Sequence, residues 1–438
     1  MDLFTRLIIS IKNYIKADLV KVFSFMALST SIKMITSFLS MKVVAVIIGP
    51  AGIAMLGQLT NFSTIAMNFA SAGINNGVTK YVAEFREDKK IVPVYLSSAF
   101  RLTLYCAFGV GILMILFSDT LSRLIMLSTE YNYVFLYFGC TVVFYAVNNF
   151  FISVVNGFKQ FRLFTYINIA NSVVGMFFSI FFILIWGLKG ALISVVTFQS
   201  VVLIVTLYLL RKQFWFKRSY FKLGIQKKML YKYLKYTIAS LVFIALTPSV
   251  QIFLRRYVIA EISEVEAGIW EGMNRISAMY MMIINTSLAV YYIPRLSELK
   301  TSLELRMEII KAYKFIIPFT LVVFTGIYIF RRFIVYMLFT SDFYPMESLF
   351  SWQLSLDFIN TCSFILSYLL IAKALTLEYT LTSIIFSFMY VLLAYWLLNI
   401  EHNVVGIIQG NIIAQLFYFL TIAFLFRKII LKRFHPIT

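Results

Sequence analysis

The sequence predicts an all-α polytopic membrane protein, with about twelve transmembrane helices in two pseudo-symmetric six-helix bundles around a central cavity. Three observations carry that expectation. Of 438 residues, 61% are hydrophobic and only 13% are charged, where a soluble domain averages about 45–50% apolar and about 25% charged. A water-soluble fold of this composition would expose apolar patches large enough to aggregate, and disorder requires a polar chain. The apolar stretches recur at spanning length, with basic and acidic connections alternating between them. The two halves of the chain also echo each other.

A bilayer-spanning helix takes about 20 residues. Segments of that kind fall at 19–48, 52–82, 92–117, 132–156, 163–186 and 190–210, then at 233–259, 267–294, 312–340, 347–372, 376–399 and 404–427. The start, Met1 to Val20, is broken by Arg6, Lys12, Lys16 and Asp18. It reads as an amphipathic stretch on the membrane surface and not as a cleavable signal. Gly49-Pro50 joins the first two spans, and Gly187 to Gly190 joins the fifth and sixth. The longest polar stretch, Arg211 to Lys232, divides the chain into an N-terminal bundle, 1–215, and a C-terminal bundle, 216–438.

The net charge of +20 is distributed as a topology signal. The N-terminus (Arg6 to Lys21), the 2–3 loop (Lys80 to Lys90), the 4–5 loop (Lys159, Arg162), the midpoint linker and the 8–9 loop (Arg295 to Lys314) are basic, as are Lys373 and the tail (Arg427, Lys428, Lys432, Arg433). The opposite loops carry Asp119, Glu130, Glu261, Glu264, Glu266, Asp342, Glu347 and Glu401. The basic side is therefore expected in the cytoplasm with both termini, which requires an even number of spans. Clustering into loops argues against a nucleic-acid surface.

Small-residue motifs recur at a near-constant offset. Ala51-Gly52-Ile53 opens span two and Ala267-Gly268-Ile269 opens span eight; Lys189-Gly190-Ala191 and Val405-Gly406-Ile407 open spans six and twelve. Six spans per repeat give both repeats one orientation, related by an axis along the membrane normal, with substrate bound between them.

Charges inside apolar spans are costly and hence candidates for function. Lys33 and Lys42 lie in span one, Arg101 in span three, Arg255 and Arg256 at the end of span seven, and Arg275 in span eight. They are expected in the outward half or near mid-depth, where a ring of cations suits an anionic group such as a diphosphate. Pairing and snorkelling are the alternative. Glu271 stands four residues before Arg275, at ion-pair spacing, and either neutralises it or takes part in ion coupling. Asp357, in span ten, either pairs with a cation or takes up a proton. Gln58, Asn61, Asn68 and Asn274 are among the amides within spans, and Asn61 and Asn68 share a helix face. Such a lining suits a glycan, or serves helix–helix hydrogen bonding.

Other chemistries lack residues. Cys106, Cys140 and Cys362 lie in apolar runs without CxxC spacing, and the two histidines, His402 and His435, fall near a loop and in the tail. No metal site, resident cofactor or catalytic residue is expected, no Walker A motif occurs, and short outer loops disfavour a glycan polymerase. Proton or sodium coupling remains open.

The run Gly49-Pro50-Ala51-Gly52, with Ala72-Gly73-Ile74-Asn75-Asn76-Gly77-Val78-Thr79-Lys80-Tyr81, resembles the Wzx-type flippases of O-antigen and enterobacterial common antigen assembly. Gly268-Ile269-Trp270-Glu271-Gly272 and Leu349-Phe350-Ser351-Trp352-Gln353-Leu354 are similar to the same family. The resemblance implies the multidrug/oligosaccharidyl-lipid/polysaccharide exporter superfamily and alternating access by a non-enzymatic transporter of the bacterial inner membrane. It further implies an undecaprenyl-diphosphate-linked glycan as substrate, membrane lipid around it, a polysaccharide polymerase and chain-length regulator as assembly partners, and a monomer. Lys33 and Lys42 match the family's first-span lysines. Where the family has an Arg-Asp pair this chain has Arg331-Arg332, so no acidic role carries over there. Multidrug export is the alternative within the superfamily, and it would favour an acidic cavity.

Overall fold

The computed structural model describes residues 3–88, 90–223, 227–373, 375–427 and 429. Lys428, Lys432, Arg433 and His435 of the tail lie outside them. Among the described residues the chain is helical, with no strand: α1 Leu3–Ala70, α2 Asn75–Phe85, α3 Ile91–Leu116, α4 Ser118–Met126, α5 Asn132–Gly157, α6 Phe161–Leu210, α7 Lys227–Glu261, α8 Glu264–Glu298, α9 Ser302–Ile329, α10 Arg331–Leu338, α11 Phe350–Ala372, α12 Thr376–Glu401 and α13 Val405–Leu425. Eight described stretches are long and apolar enough to cross a membrane. Their outward faces are apolar: Leu116 is 71% exposed, Phe315 75% and Val322 73%. Water does not tolerate such a surface, whereas lipid does. The protein is a multi-pass membrane protein.

Glycine sets the sharp turns inside the two longest helices. Gly49 (φ 64°) kinks α1 just before Pro50, and Gly187 (φ 54°) kinks α6. Both conformations lie in the left-handed region open to glycine. Two expected spans are broken. Span two stops at Ala70, and the chain turns through Ala72 (φ 53°) and Gly73 (φ 60°) before α2. Span nine ends at Ile329, and α10 restarts at Arg331. Apolar content ran continuously across both sites, and hydropathy does not register a backbone turn. At the other end, α1 runs back without interruption to Leu3.

The internal repeat is visible in the order of elements. α3, the short α4, a 3-10 turn (Thr129–Tyr131) and α5 recur as α9, the short α10, a 3-10 segment (Ser341–Leu349) and α11. α4 and α10 begin at Ser118 and Arg331, 213 positions apart. The kink at Gly49 corresponds to the α7–α8 turn at Ser263, 214 positions later, and the kink at Gly187 to the α12–α13 turn at Asn403, 216 later.

The helices form two compact units. One holds α1 up to Val44 and then Ser63 to Leu241; the other holds Ala45–Phe62 and the described chain from Val242 onward. In the first unit α5 packs against α2, α3 and α6. The polar linker after α6 is a packed part of it. Trp215 is fully buried, stacked on Phe158 at 5.5 Å between centroids and set against Phe151 and Phe216. Phe221 meets Phe100 at 5.4 Å, and the Ser97 hydroxyl donates to the Leu223 carbonyl. At the start of α7, Tyr233 sits edge-on to Tyr81 and Tyr95 and donates to the Tyr95 carbonyl at 3.4 Å. In the second unit α11 lies against α8, α9, α12 and α13.

Candidate functional site

The α7–α8 turn brings the embedded charges of the second unit together. Ser263 caps α8, its side chain accepting from the Glu266 amide at 3.0 Å, and Glu264 and Glu266 complement the helix dipole. Antiparallel return then places Glu271 opposite Arg255. Arg255 is 1% exposed. Its guanidinium donates to the Glu271 carboxylate and, at 3.2 Å, to Gln58 Oε1, and it lies over the Trp270 ring at 5.5 Å. Arg275 Nε donates to the other Glu271 oxygen at 2.9 Å. Gln58 in turn donates to the Ile252 carbonyl at 3.2 Å, fixing its amide between α1 and α7.

Absent side chains make this approach close. A Cβ on Gly57 would lie 2.6 Å from the Glu271 carboxyl carbon, and one on Gly268 would run into the Pro50 carbonyl. One carboxylate thus serves two guanidiniums, leaving a formal charge of +1. Burial of an unpaired charge is costly, so the pairing explains how Arg255 is tolerated. The surplus resides at Arg275, whose side chain is 26% exposed. Asn274 beside it has a buried Nδ2 without a hydrogen-bond partner.

Asp357 forms a separate cluster on α11. Ser277 donates to Oδ2 at 2.6 Å, Tyr280 donates to the same oxygen, and Gln353 Nε2 lies 3.2 Å from both oxygens. Among the described residues its side-chain partners are hydroxyls and amides, and no ion pair reaches it. Asp357 is 3% exposed. A carboxylate buried without a cation is held here by neutral donors alone among the described residues.

The remaining candidates are dispersed. Lys33 is exposed and Lys42 half-buried on α1. Nine positions apart, at about 100° per residue, they point to opposite faces. Arg101, expected in the outward half or at mid-depth, donates to the Lys222 carbonyl of the linker at 3.1 Å. Arg256 is half-buried, about 100° round the helix from Arg255. Asn68 donates to its own helix at the Thr64 carbonyl, 2.7 Å away. Asn61 is half-buried in the stretch of α1 that belongs to the second unit. Sequence reasoning missed Trp270, Ser277 and Tyr280. The i,i+3 spacing of Ser277 and Tyr280 on one α8 face was the available signal.

Residues 19–300 match the family described as polysaccharide biosynthesis protein. The chain is similar to proteins named lipid III flippase from Escherichia coli (strain K12) and Shigella flexneri, each 26% identical over 92% of this chain and 96% of the relative. Among solved structures, an inward-facing multidrug resistance MATE family transporter of the MOP superfamily superposes with a TM-score of 0.76 at 17% identity, covering 90% of this chain and 95% of that one. The MATE multidrug transporter DinF-BH in complex with R6G gives 0.67 at 14%, covering 95% and 96%. These likenesses show that the fold is that of the MOP transporters.

Proposed function

The chain belongs to the polysaccharide biosynthesis protein family, and from that premise we propose that it is a flippase. It moves an undecaprenyl-diphosphate-linked oligosaccharide from the cytoplasmic to the periplasmic leaflet of the inner membrane by alternating access, for surface polysaccharide assembly. The names of its relatives support a lipid-linked glycan as cargo. Placement of the basic loops supports twelve spans with both termini in the cytoplasm.

The observation that carries the reading is the cationic surplus at Arg255, Glu271 and Arg275. A diphosphate needs guanidinium or ammonium donors. Arg275 supplies the reachable one, while Glu271 and Gln58 orient the buried Arg255 behind it. In the second unit Arg256 is a further cation, and Asn61 and Asn274 offer amides to sugars; Lys33 and Lys42 are cations of the first. Asp357 is the coupling acid. Export of cationic drugs, the alternative on the same fold, fits a net positive cluster poorly. A polymerase and a chain-length regulator are the partners this role calls for.

Gene deletion followed by extraction of undecaprenyl-linked glycans tests the reading. Complete repeat units should accumulate on the cytoplasmic face while the surface polymer disappears. An unchanged lipid pool and surface would sink it.

A further inference from the structure

The second unit contains a cavity of about 270 Å³ beside the charged cluster, lined by α7, α11, α12 and α13. Among the described residues its lining carries no Asp, Glu, Lys or Arg, and the nearest charges stand behind it, Arg255 beyond Tyr390 and Asp357 bonded to Asn360. Four carboxamides, Gln251, Asn360, Asn411 and Gln415, reach it from three helices. Hydroxyls of Ser383 and Ser387 join them. One wall is aromatic: Phe386 stacks with Tyr390 at 6.2 Å between centroids and tilts against Tyr418 at 5.5 Å. The Gln251 Oε1 is buried without a hydrogen-bond partner.

Three ligand classes fail against this lining. A diphosphate or other anion would find no cation. A metal ion or organic cation would find no carboxylate. An isoprenoid tail would leave the buried Gln251 Oε1 without a partner, at a cost in free energy. A sugar ring satisfies all three constraints. Its hydroxyls both donate and accept, as carboxamides do, and its apolar face can lie on an aromatic ring. The volume lies just below the range of small-molecule pockets, about 300–1,000 Å³, which suits one ring.

We propose that this pocket is a neutral-sugar site, in which the amides of Gln251, Asn411 and Gln415 hold one uncharged ring against Phe386 and Tyr390. The identification of that ring as part of the transported glycan rests on the flippase reading; the sugar chemistry of the pocket does not.

The test is saturation-transfer NMR on the purified full chain in nanodiscs. The probes are the methyl glycosides of glucose, galactose, N-acetylglucosamine and N-acetylgalactosamine. At least one should bind. Gln251→Leu, which keeps the side chain's size, should weaken it about tenfold, the worth of one or two hydrogen bonds, and Ser387→Trp, which fills the space, should abolish it. Thermal melts establish that the variants are folded. Should Ser387→Trp not fold, Gln251→Leu decides alone. Absence of binding to any glycoside, or binding that Gln251→Leu leaves unchanged, overturns the proposal. Glycoside binding lost in the variants, beside an unchanged lipid pool in the deletion strain, would refute the flippase reading and leave the pocket standing. The reverse pattern would refute the pocket alone.

Discussion

Gly57 lies directly against the Glu271 carboxyl group, so close that a Cβ at position 57 would sit 2.6 Å from the carboxyl carbon. The Ala-Gly-Ile signature at the start of span two therefore leads, one turn later, to the glycine that admits the carboxylate. Gly57→Ala should push Glu271 off its arginines. Overpacking of this kind costs about 1–3 kcal/mol. A lowered melting temperature of the purified protein, with reduced surface glycan in complemented cells, would bear this out; a wild-type melt would show that the carboxylate can step aside.

Glu271→Gln removes the charge shared by Arg255 and Arg275 and keeps the shape. Arg255 would be left buried beside a neutral amide, and breaking one partner of a buried pair costs about 3–5 kcal/mol. Arg255→Met in the same chain removes the stranded charge. The double variant should recover most of the stability lost in the single one and none of the transport. Thermal unfolding of the four chains in a cycle reads the coupling directly, and a coupling near zero would mean the contact is ornamental.

The helical order, the tight glycine turns and the repeat were legible from composition and small-residue spacing, because lipid imposes a strong and simple pattern. What hydropathy could not register was where the backbone turns inside an apolar run, at Ala72-Gly73 and at Phe330. The i,i+4 pair of Glu271 and Arg275 was legible for the same local reason. Arg255 joining it required the return of α8, and Tyr280 reaching Asp357 required α8 and α11 to meet across 77 positions. Composition does not show how the linker packs. Its lysines and arginines hide Trp215, Phe216 and Phe221, which fold onto the first unit.

Asp357→Asn is the sharpest separation of coupling from structure. Ser277, Tyr280 and Gln353 all donate to the carboxylate. An asparagine retains one acceptor oxygen, so the fold should survive with about 1–3 kcal/mol lost to the misplaced donor. Transport should fall at least tenfold, and whatever remains should no longer respond to a collapsed proton gradient. Accumulation of lipid-linked glycan in cells with and without an uncoupler measures both. Full export by Asp357→Asn would remove Asp357 from the coupling role.

Lys33 presents an exposed ammonium from within an apolar helix. A charge there cannot face lipid without heavy cost, so it must look toward water or an anion. Lys33→Ala should abolish surface glycan while protein abundance stays normal, and Lys33→Arg should retain a substantial part of it, since either cation can meet a phosphate. Normal surface glycan in Lys33→Ala would strike this residue from the binding set.

Trp215 tests whether the linker is a structural part of the first unit or a tether. The indole is fully buried and stacked on Phe158, whereas its neighbour Phe214 is 51% exposed. A tether would tolerate loss of either side chain equally. A packed strap would not: Trp215→Ala should cost about 3–5 kcal/mol through the cavity it leaves, and Phe214→Ala much less. Limited proteolysis supplies the local readout, since the linker's lysines and arginines are tryptic sites that a closed strap protects. Faster cleavage between Arg211 and Lys222 in Trp215→Ala, with Phe214→Ala cut at close to the wild-type rate, is the expected pair of results. Cleavage of Trp215→Ala at the wild-type rate would mean that burial of Trp215 does little to hold the linker down.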